Sequence, residues 1–152
     1  MFGLGLPELI ILIIIILGII PQIYYILTLQ RVLNRCSPDS RTLSPRLVWL
    51  LIIPLLNLIW EFFVVINLSK SLHNEFTKRN IDADKAPGLK IGLAMCILFI
   101  VSLIPYFNLV LFAGVAALIC WIIYWVKISG YSAKLQHSLE EQIAQPGTSP
   151  DA

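Results

Sequence analysis

The sequence predicts an all-α integral membrane protein: a small helical bundle with one N-terminal span, a re-entrant or kinked second segment around Pro54, and a C-terminal transmembrane hairpin turning at Pro105 and Asn108. Three observations predict it. Residues 9–30 and 91–126 contain no charged side chain, and an uncharged apolar run of about 18 residues or more is long enough to cross a bilayer. Charged residues make up only 13% of the chain, against about 25% in soluble domains. The frame Ile-Pro-x-x-Asn-Leu occurs twice, as IPLLNL from residue 53 and IPYFNL from residue 104, each time setting turn residues inside an apolar run.

The first helix is expected over about 7–34, with Pro7 suited to a first turn and Pro21 kinking the run from inside. The segment RCSPDSRTLSP carries two Ser-Pro steps and reads as a loop. Ser44 and Pro45 then supply an N-cap and a first-turn proline for a second helix over about 45–79, apolar to Leu68 and amphipathic beyond it. NIDADKAPG is a loop. The uncharged stretch 91–126 is far longer than one helix needs to cross a core of about 30 Å, so it must fold back. Its turn signal is IPYFN, which gives arms of about 89–104 and 108–143. The second arm runs on past Lys127 with Ile128, Tyr131, Leu135, Leu139 and Ile143 on one face. Residues 1–145 thus read as a single helical membrane domain and 146–152 as a disordered tail. The N-terminal run is read as a retained anchor, since its only early charged side chain is Glu8 and the apolar run continues to Leu29.

Basic side chains set the orientation. The first loop carries Arg31, Arg35, Arg41 and Arg46, the second Lys70, Lys78, Arg79, Lys85 and Lys90, and the C-terminal region Lys127 and Lys134. Lys and Arg in short loops favour the cytoplasm. Four full spans would leave one basic loop outside. From Ser44 to Pro54 the chain covers only about half a bilayer, so a segment 45–69 that re-enters at Pro54 keeps every Lys and Arg inside. A Pro-kinked full span remains the other reading, because such helices are common in membranes. Either way the C-terminus is expected in the cytoplasm. The amphipathic stretches 69–79 and 128–143 are expected to lie along that membrane surface or, equally, to continue as helices projecting into water.

The run SPRLVWLLIIPLLNLIWEFFVVINLSKSL is similar to a motif of small bacterial multi-pass membrane proteins catalogued only as domains of unknown function, in which a Ser-Pro, a Trp and a Pro-x-x-Asn-Leu recur in that order ahead of an amphipathic helix. ICWIIYWVKISGYSAKL resembles their closing helix. The resemblance implies a small helical membrane domain with no established activity. Glu61 departs from it, standing where those proteins often carry a basic residue. FGLGLPELIIL resembles the start of A-type subunits of the bacterial twin-arginine translocase, without the hinge and amphipathic helix that follow there. Both resemblances imply a bacterial inner membrane.

Glu61 is the sharpest candidate, since an ionisable group at membrane depth is costly unless paired, protonated or facing water. Asn57 lies one helical turn earlier on the same face. Together they form a candidate intramembrane polar site for an ion, proton or partner, or a packing lock in which Glu61 bonds Asn57 or a base such as Arg46. Cys96 and Cys120 fall at similar depth on the two arms of the hairpin and read as packing, while Cys36, beside Arg35, reads as a loop thiol open to a lowered pKa. Trp121, Tyr124 and Trp125 read as an interfacial aromatic belt, with Trp49 and Trp60 at the same level. His73 and His137 read as solvated helix-face residues.

The sequence shows no nucleophile–base pair, ligand spacing or phosphate loop, so neither enzymatic activity nor a metal or other cofactor is expected, and the net charge of +2 does not point to nucleic acid. The expected partners are the lipid bilayer and a membrane protein or second copy of the chain. The expected role is an accessory or scaffold subunit that binds through helix faces. The alternative is a small oligomeric channel or transporter using Glu61 and Asn57.

Overall fold

The computed structural model describes residues 5–104 and 106–145, apart from the side chains of Pro54 and residues 107–109. The predicted tip residue Pro105 and the tail 146–152 lie outside the described residues, and of Asn108 only the backbone is described. The architecture is all-helical: α1 (Leu6–Arg35), a short 3-10 helix (Leu47–Ile52), α2 (Pro54–Lys78), α3 (Leu89–Ser102) and α4 (Phe107–Ala144). The helices Leu6–Arg35, Leu55–Lys78 and Val110–Ala144 are long and apolar enough to cross a membrane. This is a helical membrane protein.

Local chemistry sets the breaks. A residue before proline is pushed out of the α region. Ile53 accordingly sits at φ −80°, ψ 112°, and separates the 3-10 helix from α2. The expected helix from Pro45 is therefore divided, and the α-helix starts at Pro54. Pro21, by contrast, stays inside a continuous α1. At the far end of α2, Asn80 takes φ 53°. Its N–H reaches the Thr77 carbonyl at 3.2 Å and that of Ile81 the Phe76 carbonyl at 2.9 Å, a left-handed cap that stops the helix. Gly88, at φ 71°, opens α3.

Side-chain pairings give the helix directions. Tyr25 meets Glu61 near the middle of the bundle, and Arg35 meets Arg79 at its end, so α1 and α2 run parallel. Thr28 meets Trp125 and Arg35 meets Ser132, so α4 is parallel to both. α3 runs against them. The chain from Thr42 to Ile53 travels antiparallel to α2: the Thr42 N–H donates to Ser71 Oγ at 2.9 Å, the Thr42 hydroxyl donates to the Asn67 carbonyl at 2.8 Å, and Trp60 Nε1 donates to the Leu47 carbonyl at 2.8 Å. Both basic loops consequently lie at the same end of the bundle.

The buried core fills that end. It holds Tyr25, Ile26, Leu29, Val32 and Leu33 of α1, Val64, Val65, Leu68, Leu72 and Phe76 of α2, and Tyr124, Ile128 and Leu135 of α4, with Val48 and Leu51 beneath the 3-10 helix. α3 joins at Gly92, where an added Cβ would stand 2.5 Å from Val65 Cγ1 and 2.9 Å from Tyr124 Cε2. Every residue of α1 from Leu6 to Ile20, in contrast, is exposed.

Of the two expectations for the amphipathic stretches, the structure gives the continuing helices. Residues 69–78 continue α2, and 128–143 continue α4, a single helix of 38 residues. At about 1.5 Å per residue α4 far outruns a bilayer core of about 30 Å. Its apolar stripe is covered by protein as far as Leu135: Ile128 and Leu135 are fully buried and Tyr131 stacks edge-on against Phe76 at 5.6 Å, whereas Leu139 is half-buried and Ile143 is exposed. An amphipathic stripe records that a face is covered, not by what.

Candidate functional site

Where α1 parts from the rest of the bundle, a cavity of about 630 Å³ opens between the exposed half of α1, the start of α2, and α3 and α4. Among the described residues its walls are almost wholly apolar, with Gln22, Asn57, Glu61 and Ser102 as the polar side chains. The sequence folds this way because α2 begins only at Pro54. Of its first two turns, Asn57, Leu58 and Glu61 face the space that a longer helix pair would close.

Glu61 is placed by Tyr25, a fully buried residue of α1 whose hydroxyl donates to Glu61 Oε1 at 2.6 Å. Tyr25 is in turn held by aromatic rings of α4: Trp121 at 5.5 Å, Tyr124 at 6.3 Å and Trp125 at 6.4 Å between centroids. Trp125 Nε1 donates to Thr28 Oγ1 at 3.0 Å, which pins α4 to α1 one turn further on. Tyr124 is fully buried. Of the expected aromatic belt, Tyr124 is thus buried and Trp121 and Trp125 are half-buried against α1 behind the carboxyl group, while Trp60 is half-buried and Trp49 exposed.

The structure brings Asn57 and Glu61 to the same cavity but joins them by no hydrogen bond. The expected lock to Asn57 or Arg46 is replaced by the bond from Tyr25, which lies 36 positions away in sequence. Asn57 Oδ1 is buried without a partner. Glu61, bonded through Oε1 alone, therefore keeps unused acceptor capacity on the cavity wall, whereas Asn57 Oδ1 is enclosed by protein. Cys96 also lines it, whereas Cys120 is half-buried and both thiols are free. Among the described residues no group of three His, Cys, Asp or Glu side chains could hold a metal ion.

A second polar cluster lies at the basic end. Glu75 is 1% exposed and pairs with Arg79, itself 9% exposed, at 2.6 Å. The other Glu75 oxygen accepts from the Ser37 N–H at 2.9 Å and the Ser37 hydroxyl at 2.6 Å. Arg79 spends its remaining donors on the Arg35 carbonyl at 3.1 Å, the Leu135 carbonyl at 3.2 Å and Ser138 Oγ at 2.9 Å. Arg35 reaches the Ser132 carbonyl at 2.8 Å and Gln136 Oε1 at 2.6 Å. Two arginines and a glutamate thus clamp α1, α2 and α4 together. The i,i+4 spacing of Glu75 and Arg79 is visible in the sequence; their burial is not.

Cys36 sits under this clamp and is 1% exposed, not loop-exposed as expected. Burial pushes its thiol up to about 12, the Glu75 carboxylate adds to the rise, and Arg79 and Arg41 only partly oppose it. His73 and His137 are exposed, His137 standing 3.4 Å from Glu141.

The chemistry on offer is that of a binding site: an apolar chamber, one carboxyl group fixed by a phenol, and aromatic rings. Pockets of this kind, apolar with a few placed polar groups, are where small ligands bind. Comparison with family models, with curated proteins and with solved structures gives no match for this chain.

Proposed function

We propose that the protein is a multi-pass binding protein of the bacterial inner membrane that takes an apolar ligand from the bilayer into the Glu61 cavity. The observation that carries this reading is the cavity itself: about 630 Å³, inside the range of about 300–1,000 Å³ typical of ligand pockets, and bounded on one side by the unpacked half of α1.

The orientation we infer has the C-terminus and both basic loops in the cytoplasm, with residues 42–70 a re-entrant hairpin. The side-chain pairings support it. Tyr25–Glu61, Thr28–Trp125 and the approach of Gly92 to Val65 and Tyr124 bring Arg31, Lys70, Lys90 and Lys127, all exposed, to one level. Such a ring of basic side chains suits the cytoplasmic interface. By helical rise the turn at Ile53 then reaches about 24 Å above Lys70, short of the far side of a core of about 30 Å. Glu61 lies about 13 Å deep by the same measure. Cysteines placed at the exposed Asp39 and Asp82 test the hairpin in intact cells. Protection of both from an impermeant reagent is expected; labelling of one alone would require a full span.

The ligand-binding reading is tested by filling the cavity. A Cβ at Gly114, which lines it, meets nothing within 4 Å. Gly114→Phe should leave a folded protein that no longer retains small molecules seen by native mass spectrometry after extraction in mild detergent. Equal retention by both proteins would refute the reading.

A second reading, that of an accessory subunit, is favoured by the fully exposed run Leu6–Ile20. A photo-cross-linker at Ile13 should then capture another membrane protein, and capture of lipid alone would count against it.

A further inference from the structure

Among the described residues Glu61 is the one charged side chain of the cavity, and its second oxygen is free to accept a hydrogen bond. Tyr25 has spent its hydroxyl hydrogen on Glu61 Oε1. No donor in the described residues reaches Glu61 Oε2. Among the described residues no Lys, Arg or His lines the cavity. A purely apolar occupant would leave that oxygen unsatisfied, and an anion would meet the carboxylate with nothing to neutralise it. Both are costly away from water.

The aromatic arrangement narrows the choice further. Trp121 lines the cavity, and its ring stands 5.5 Å from Tyr25 and 5.3 Å from Trp125. The face of an indole attracts a cation. The rest of the wall, including Leu17, Phe99 and Leu118, is aliphatic or aromatic and suits a hydrocarbon body.

We propose that the cavity is a site for a lipophilic amine in its ammonium form: the nitrogen donates to Glu61 against Trp121, and the apolar body fills the chamber toward α1. This rests on the reading of the cavity as a ligand site. It adds the ligand's charge and its donor character. The cation enters from the bilayer side, where the upper half of α1 leaves the chamber uncovered, and the carboxylate neutralises it at a depth where either charge alone would be expensive.

The test uses the whole protein in lipid nanodiscs, with empty nanodiscs measuring simple partitioning. The probes are 4-phenylbutylamine and 4-phenylbutanol, alike in apolar body and different in charge. Saturable binding is read by equilibrium dialysis and by Trp fluorescence. The wild type should prefer the amine by about tenfold to a hundredfold, the worth of a charge-assisted hydrogen bond. Glu61→Gln should lose that preference while still binding the alcohol. Equal binding of amine and alcohol by the wild type would overturn the ammonium proposal and leave the cavity reading standing. Binding of both probes undiminished by Gly114→Phe, or no binding above empty nanodiscs, would overturn the cavity reading and the proposal with it.

Discussion

Arg79→Met tests how much the clamp holds the bundle together. The substitution keeps most of the stem and removes the charge. It deletes the 2.6 Å pair with Glu75 and the bonds to the Arg35 carbonyl, the Leu135 carbonyl and Ser138. Glu75, 1% exposed, keeps only its two bonds from Ser37 and becomes a buried carboxylate without a counter-charge. Breaking a buried pair from one side costs about 3–5 kcal/mol. For a chain of this size 1 kcal/mol is worth about 2–4 °C in melting temperature, which predicts a fall of about 6–20 °C. The exposed pair of Lys78 with Asp39, at 3.7 Å, is the internal control: Asp39→Asn should cost about 0–1 kcal/mol. Glu75→Gln combined with Arg79→Met should cost less than the sum of the two changes, because neither charge is then stranded. The assay is a thermal melt in mild detergent with a dye that fluoresces on reaction with thiols, since Cys36 and Cys96 are buried until the bundle opens. An Arg79→Met protein that melts like Asp39→Asn would show that the clamp adds nothing.

Glu61→Leu strands the fully buried Tyr25 hydroxyl and should cost about 1–3 kcal/mol in the same melt, whereas Glu61→Gln still accepts from it and should melt close to the wild type; equal melts for Leu and wild type would mean that the bond contributes no stability. Gly92→Val must push aside Val65 and Tyr124, already 2.5 Å and 2.9 Å from an added Cβ, and overpacking of that kind costs about 1–3 kcal/mol; a neutral result would show that α3 sits looser than described. The Cys36 thiol, pushed up to about 12, stays protonated as well as covered between neutral pH and pH 9.0, the ordinary thiol value. Its alkylation in the folded protein should therefore stay slow and flat with pH over that range; a rate that climbs like a free thiol's would contradict its burial.

The elements were legible where the chain's own chemistry decides them. Charge-free runs locate α1 and the α3–α4 hairpin, and the constraint that Pro54 places on Ile53 locates the break before α2. Lys and Arg placement also pointed to both basic loops at one end, the arrangement that the contacts of Thr42 and Arg79 give. What the sequence could not show is who faces whom. Tyr25 carries no mark that ties it to Glu61, 36 positions on, so Asn57 at i+4 spacing looked the nearer partner. Trp121, Tyr124 and Trp125 before a lysine look the same whether they face lipid or a neighbouring helix. Leu135 and Ile128 likewise form a stripe that a membrane surface or α2 and α1 would cover equally well. Glu75 and Arg79 lay in plain view on a polar stretch, but only the return of Arg35 and Ser37 to their side buries them.

That return has a consequence for biosynthesis. Arg79 finds acceptors on Leu135 and Ser138, and Arg35 on Ser132 and Gln136, all near the far end of α4. A nascent chain that has delivered α1, α2 and α3 therefore holds two arginines with acceptors still inside the ribosome. The early helices can enter the membrane one after another, but the bundle locks only when its last helix arrives. A chain stalled before Ser132 would keep Glu75 on Ser37 and Arg79 but would leave both arginines short of acceptors beside an open apolar seam.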